Sequence, residues 1–277
     1  IILTIGLLVC QPYACCAFLR TEVFHRNFRI QVCSLFFYFT IQMFCRSILL
    51  YYELNDIPNS SKTSCVYGNL CYENLENDNL LFWVETIRDA IISYFCLVPG
   101  SFAFERYIAT RFWLWYERGS VSTLWIILLI ELVNGIPAFA SAYLMYSEKL
   151  SNTACLAFFG LSLVIGSIVF VATYVTNVQT LKQNSLGASI NYYSVSRTFQ
   201  VQENVEVMSY MFKIAVPTAL ASGIPIGGLI IKLYGPAEWR LFRNFAYAFF
   251  DLGIAILGVI GTICAVIRND RIYNEFK

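Results

Sequence analysis

The sequence predicts an all-α membrane protein, a seven-transmembrane helix bundle forming one domain over residues 1–277 with its N-terminus outside. Three observations lead there. Charged residues make up 13% of the chain, about half the share of an ordinary soluble domain. Hydrophobic residues make up 58%, and mean hydropathy is +0.60. The apolar residues gather into runs of about twenty, the length that crosses a bilayer core as a helix. A helix also satisfies its own backbone hydrogen bonds, which lipid cannot do for it.

The first run, 1–19, lacks the basic start and Ala-x-Ala exit of a secretory signal, so it reads as a first membrane helix. It begins at Ile1, without Met and inside an apolar stretch, and the expectation is an N-terminally truncated or processed chain. The second run spans 30–52. The third, 80–110, is the least apolar and carries Glu85, Arg88 and Asp89. The fourth and fifth span 121–146 and 154–181. The sixth, 207–231, contains Pro217, Pro225 and Gly227-Gly228 and reads as the one broken helix, a feature that neighbouring helices and water make tolerable in membranes. The seventh spans 244–267.

Orientation follows from the basic residues in the connections, which concentrate on the cytoplasmic side. One set holds Arg20, Arg26 and Arg29, then Arg111 and Arg118, then Lys182 and Arg197, and finally Arg268, Arg271 and Lys277. The other set is poorer, with Lys62, Lys149 and, around the sixth connection, Lys232, Arg240 and Arg243. The first set is therefore expected inside. The long connection at 53–79 is then outside, and it is acidic, with Glu53, Asp56, Glu73, Glu76 and Asp78. It also contains Asn59-Ser60-Ser61, a glycosylation acceptor that works only on the lumenal side.

The chain has ten cysteines. Cys10, Cys15, Cys16, Cys33, Cys45, Cys96 and Cys264 lie within apolar runs, where a thiol behaves as a small hydrophobe. Cys65, Cys71 and Cys155 fall in or beside loops on the expected outer side. One bridge from Cys155 to Cys71, the nearer candidate, or to Cys65 would tie a loop to the mouth of the bundle. Three free thiols are the alternative.

Glu105-Arg106-Tyr107 ends the third run on the expected cytoplasmic side. An Arg held by a neighbouring carboxylate at a membrane boundary can be released by protonation or helix movement, freeing a cation for a partner. The same triplet would also serve merely to mark the end of a span.

The run Phe104-Glu105-Arg106-Tyr107-Ile108-Ala109-Thr110, followed by Trp115-Tyr116-Glu117, resembles the third-helix signature of a nematode chemoreceptor family, serpentine receptor class epsilon (Sre). Phe24-His25-Arg26-Asn27 matches the family in the first cytoplasmic connection. The segment from Tyr193 to Asn204 is similar to its Ser-x-Arg-Phe-Gln-x-x-Glu-Asn pattern, with Thr198 intervening between Arg197 and Phe199. The segments occur in the family's order across nearly the whole chain. The resemblance implies a receptor for small environmental chemicals in the membrane of sensory neurons, coupled to a heterotrimeric G protein. Glu105, Arg106 and Tyr107, with Phe199, Gln200, Glu203 and Asn204 in the third cytoplasmic loop, are the expected coupling residues.

Departures from the rhodopsin-like class are equally clear. Phe249-Phe250-Asp251-Leu252 stands where Asn-Pro-x-x-Tyr would be, and the sixth run has no Cys-Trp-x-Pro. The seventh run has no Lys for a retinal Schiff base. No cofactor is implied. A net charge of +1 without a basic cluster argues against nucleic acid. His25 is the only histidine, so no multi-His metal site can form. No catalytic set is recognisable, and the chain is not expected to be an enzyme.

Arg46, Glu85, Arg88, Asp89, Glu131 and Asp251 lie within the runs. Each costs a few kcal/mol in lipid, so they should face the interior and pair. Glu85 shares a helix face with Arg88 and Asp89. Arg46, Glu85, Arg88, Asp89 and Asp251 fall in the expected outer half, where two roles are open: pairing that locks helices together, or the polar floor of a ligand cavity. A secondary transporter or channel using these charges is the alternative function, although no internal repeat supports it.

Overall fold

The structure is a computed structural model that describes residues 2–20, 26–54, 79–112, 120–147, 149–185 and 195–267. Those residues form seven long helices and one short 3-10 turn, and no strand occurs among them. The helices are α1 (Ile2–Arg20), α2 (Arg26–Leu54), α3 (Asn79–Arg111), α4 (Ser120–Tyr146), α5 (Asn152–Ser185), α6 (Val195–Tyr234) and α7 (Arg240–Ile267), with the 3-10 turn at Ala237–Trp239 before α7.

Three segments among the described residues are long and apolar enough to cross a membrane by length and hydropathy alone: Arg26–Tyr52, Trp125–Tyr146 and Asn152–Gln183. Ala248–Ile263 is a shorter apolar stretch. On α5 the large side chains of Leu161, Val164, Ile165, Ile168 and Val171 all point outward. A water-exposed helix does not carry such a face, because apolar area left in water costs about 25 cal/mol per Å². Facing lipid, it costs nothing.

The sixth helix departs from expectation twice. It begins at Val195 rather than near 207, so the segment expected as a loop, with Phe199, Gln200, Glu203 and Asn204, is the helix's first turns. Hydropathy missed it because Gln, Glu and Asn are polar, yet Gln and Glu are good helix formers. The Gln202 amide donates to Glu206 Oε1 at 3.2 Å, an i,i+4 bond typical of a solvated helix face. Nor is the helix broken. Its backbone runs continuously through Pro217, Pro225 and Gly227-Gly228 to Tyr234.

The helices divide into two compact units. The first comprises Ile1–Thr21, Val32–Arg88 and Lys213–Lys277. In it α1 packs along α7, with Leu7, Met43 and Ala255 buried together. A second cluster joins α2 to α3 through Cys45, Leu49, Leu81 and Val84. At Gly228 the backbones of α6 and α7 nearly touch, since a Cβ there would lie 2.5 Å from the Ala246 carbonyl oxygen.

The second unit comprises Glu22–Gln31 and Asp89–Phe212. Its pinch point is between α3 and α5, where a Cβ on Gly166 would stand 2.7 Å from the Gly100 nitrogen and 3.1 Å from its Cα. Small residues permit such approach, and packing rather than hydrophobic burial drives helix association in lipid. Polar side chains stitch α3 to α4: Asn134 Nδ2 donates to Ser101 Oγ at 2.6 Å, Tyr94 OH donates to Glu131 at 2.9 Å, and Tyr146 OH donates to Asp89 at 2.7 Å. Ala109, Ile126 and Ile130 fill the same seam further along.

Candidate functional site

Two buried polar clusters, one in each unit, gather Glu105, Arg106 and Asn204 in the second unit and Arg46, Arg88 and Asp251 in the first. In the second unit, Glu105 and Arg106 lie near the C-terminal end of α3 and are 0% and 1% exposed. Consecutive helix residues diverge by about 100°, so they seldom meet. Here the long side chains curl together. Arg106 Nη2 donates to Glu105 Oε1 at 2.6 Å, and Nε donates to Oε2. This fork-to-fork geometry is the strongest form of the pair.

The third side of the guanidinium faces α6. Arg106 Nη1 donates to Asn204 Oδ1 at 2.9 Å, and Asn204 Nδ2 donates to Thr110 Oγ1 at 2.7 Å. The Asn204 amide is thus held from both ends, accepting from the Arg and donating to the hydroxyl one helical turn on. The Thr110 oxygen also lies 3.2 Å from Asn177 Oδ1 and 2.9 Å from the Arg106 carbonyl, and its single proton serves one of these acceptors. Asn177, on α5, donates in turn to the Met208 sulfur at 3.7 Å. The network therefore joins α3, α5 and α6. In the same unit Phe28 packs on Phe102 at 5.9 Å and on Tyr210 at 6.4 Å between ring centroids.

Of the expected coupling set, Glu105, Arg106 and Asn204 meet in this network. Tyr107 and Phe199 do not, and both side chains are largely exposed. Glu203 is half-buried. Thr110 and Asn177 were not singled out for a role. A lone Asn within the apolar run of α5 signals that a partner must exist, since a buried amide without one costs free energy.

In the first unit, Asp251 of α7 receives two arginines. Arg46 Nε of α2 lies 2.9 Å from Asp251 Oδ2, and Arg88 Nη2 of α3 donates to Oδ1. Arg88 also lies over the Phe250 ring, 5.9 Å from its centroid. The ion pairs are buried, with Arg88 1%, Asp251 10% and Arg46 14% exposed. Helical spacing on α3 suggested that Glu85, Arg88 and Asp89 form a local group. In the structure Arg88 reaches Asp251, Asp89 accepts from Tyr146 of α4, and Glu85 is buried one turn before Arg88.

Cys155 is buried at the start of α5 as a thiol directed at the Ser141 carbonyl, 3.9 Å away. Its candidate partners Cys65 and Cys71, the acceptor Asn59, and Phe24, His25 and Trp115-Tyr116-Glu117 lie outside the described residues. No group of three or more His, Cys, Asp or Glu side chains that could hold a metal occurs among the described residues.

These features stand beside a match at the level of the whole chain. The model of the family described as "Sre G protein-coupled chemoreceptor" matches residues 1–276. No curated protein and no solved structure matches. A family match over essentially the full length, with the Glu105-Arg106 pair buried at the end of a third helix, places the sequence without ambiguity: the chain belongs to the Sre family of G protein-coupled chemoreceptors.

Proposed function

We propose that this protein binds a small external chemical in the outer half of a seven-helix bundle and activates a heterotrimeric G protein from its inner face. Family membership supplies the chemoreceptor role and a multi-pass membrane setting. On our reading the N-terminus and the 53–79 connection, with glycan on Asn59, lie outside. The C-terminal end of α3 and the first turns of α6 lie inside, at the surface of a sensory neuron.

The observation that carries the proposal is the way Arg106 is held. Its guanidinium forms a fork with Glu105 on its own helix, and α6 contributes the neutral amide of Asn204. A shift of α6 detaches Asn204 and leaves the Arg106–Glu105 pair, which lies within α3, intact. The Arg106–Glu105 pair then stands open to a partner segment, with the exposed Tyr107 and Phe199 available as apolar contacts. The Arg46–Asp251–Arg88 cluster serves as a fixed polar floor against which a ligand's own polar group is oriented.

An ion-conducting role for the intramembrane charges is less well supported. Asp251 is engaged by two arginines, Asp89 by Tyr146 and Glu131 by Tyr94. The experiment that separates the two records second messenger and membrane current in parallel, in cells expressing the full chain and exposed to a panel of small volatile and water-soluble compounds. Second messenger evoked without current is the expected result. Current without second messenger would overturn the receptor mechanism.

A further inference from the structure

Two cysteines of the first unit face one another across α1 and α2. The Cys15 thiol donates to the Cys33 carbonyl at 3.7 Å, and the Cys33 thiol donates to the Cys15 carbonyl at 3.6 Å. Reciprocal contact of this kind puts both sulfurs in the gap between the two backbones, each within one side-chain length of the other's main chain. A disulfide requires that approach, because its Cβ atoms must come within about 3.5–4.5 Å. Both residues are half-buried thiols, whereas Cys10 and Cys16 on α1 point outward.

We propose that Cys15 and Cys33 form an oxidisable dithiol that closes to a disulfide, bridging α1 and α2, when it meets a hydroperoxide. One sulfur attacks the peroxide O–O bond, taking up one oxygen as a sulfenic acid, while its thiol proton leaves with the other oxygen as alcohol or water. The second sulfur then attacks the sulfenic sulfur, forming the S–S bond and expelling the hydroxyl, which leaves as water with the second thiol proton. The two sulfurs together lose two electrons, and the peroxide gains them. The proximity of the second thiol makes closure intramolecular, so it outpaces further oxidation to sulfinic acid. A thiol reductant reverses the step.

The test uses the full chain in its membrane. Membranes are treated with hydrogen peroxide, quenched with an alkylating maleimide, and digested without reduction for peptide mapping by mass spectrometry. A single linked pair joining the Cys15 and Cys33 peptides, lost on treatment with dithiothreitol, is expected. Cys10 and Cys16 should carry the alkyl group throughout. In Cys33→Ser, the Cys15 peptide should instead accumulate as sulfenic acid, trapped with a sulfenic-acid reagent, or as sulfinic acid, read from its mass. Recovery of both Cys15 and Cys33 as alkylated thiols, under conditions that oxidise a peptide thiol added as control, would overturn the proposal. So would a bridge from Cys33 to Cys16 or Cys10 in place of Cys15.

Discussion

Arg88 and Arg106 sit on the same helix and are equally buried, yet they are held in opposite ways. Arg88 finds its carboxylate on α7, in Asp251, and a second arginine from α2 shares it. Arg106 finds its carboxylate beside it in the chain, in Glu105, and receives a neutral amide from α6. The difference decides what helix motion costs. Pulling α7 from α2 and α3 would separate opposite charges in a medium of low dielectric, and losing one partner of such a cluster costs about 3–5 kcal/mol. Pulling α6 from α3 gives up the two hydrogen bonds of Asn204, one to a charged group at about 1.5–3 kcal/mol and one to the Thr110 hydroxyl at about 0.5–1.5 kcal/mol. It separates no part of the Glu105–Arg106 pair. The first cluster behaves as a clamp. The second can open.

The largest effect should therefore come from the clamp. Asp251→Ala leaves Arg46 and Arg88 without their shared counter-ion. A loss of about 3–5 kcal/mol is expected, read as a collapse in folded receptor at the cell surface and a lower Tm in detergent. If Asp251→Ala reaches the surface at the level of the parent chain and melts with it, the cluster is no clamp.

A smaller loss is expected at the contact between α3 and α5. Gly166→Val places side-chain atoms where the Gly100 backbone already stands, and overpacking of this kind costs about 1–3 kcal/mol. Thermal melting of the purified chain measures it, and Gly160→Val supplies the comparison, because a Cβ on Gly160 meets nothing within 4 Å. Equal melting of the two variants would show that the helices do not pinch at Gly166.

Tyr107→Ala should have the smallest effect on folding. Although Tyr107 belongs to the same triplet as the buried pair, its ring is exposed, and substitutions at such sites usually stay within about 0.5 kcal/mol. A melting shift as large as that of Gly166→Val would mean that the ring is packed. That outcome would sharpen the comparison by extending the α3–α6 lock to a third residue.

The helices were largely legible in the sequence because apolar runs and helicity coincide over most of the described residues. They part at 195–206, where α6 continues as a polar helix, and hydropathy reports the solvent of a segment rather than its backbone. The Glu105-Arg106 pair was legible as adjacent charges closing an apolar run. Its tether was half legible: Asn204 and Thr110 stood in recognisable motifs, but Asn177 is an ordinary polar residue whose partners lie on other helices. The same limit explains Arg88. Helical spacing offered Glu85 and Asp89 as neighbours, while the distant Asp251 takes up the guanidinium. Local spacing names the residues that can pair, and only the packing of helices selects among them.

The most direct test of the opening mechanism is the basal signal of Asn204→Ala, measured as second messenger per receptor at the cell surface. This substitution removes the α6 tether and leaves the Glu105–Arg106 pair in place. A hydrogen bond of about 1.5–3 kcal/mol that is present only in the resting arrangement should shift the equilibrium toward the open state by roughly ten- to a hundredfold. Basal output should rise accordingly, with surface protein close to that of the parent chain. Basal output equal to the parent's at matched surface levels would contradict the account, since Asn204 would then hold nothing that opening must release.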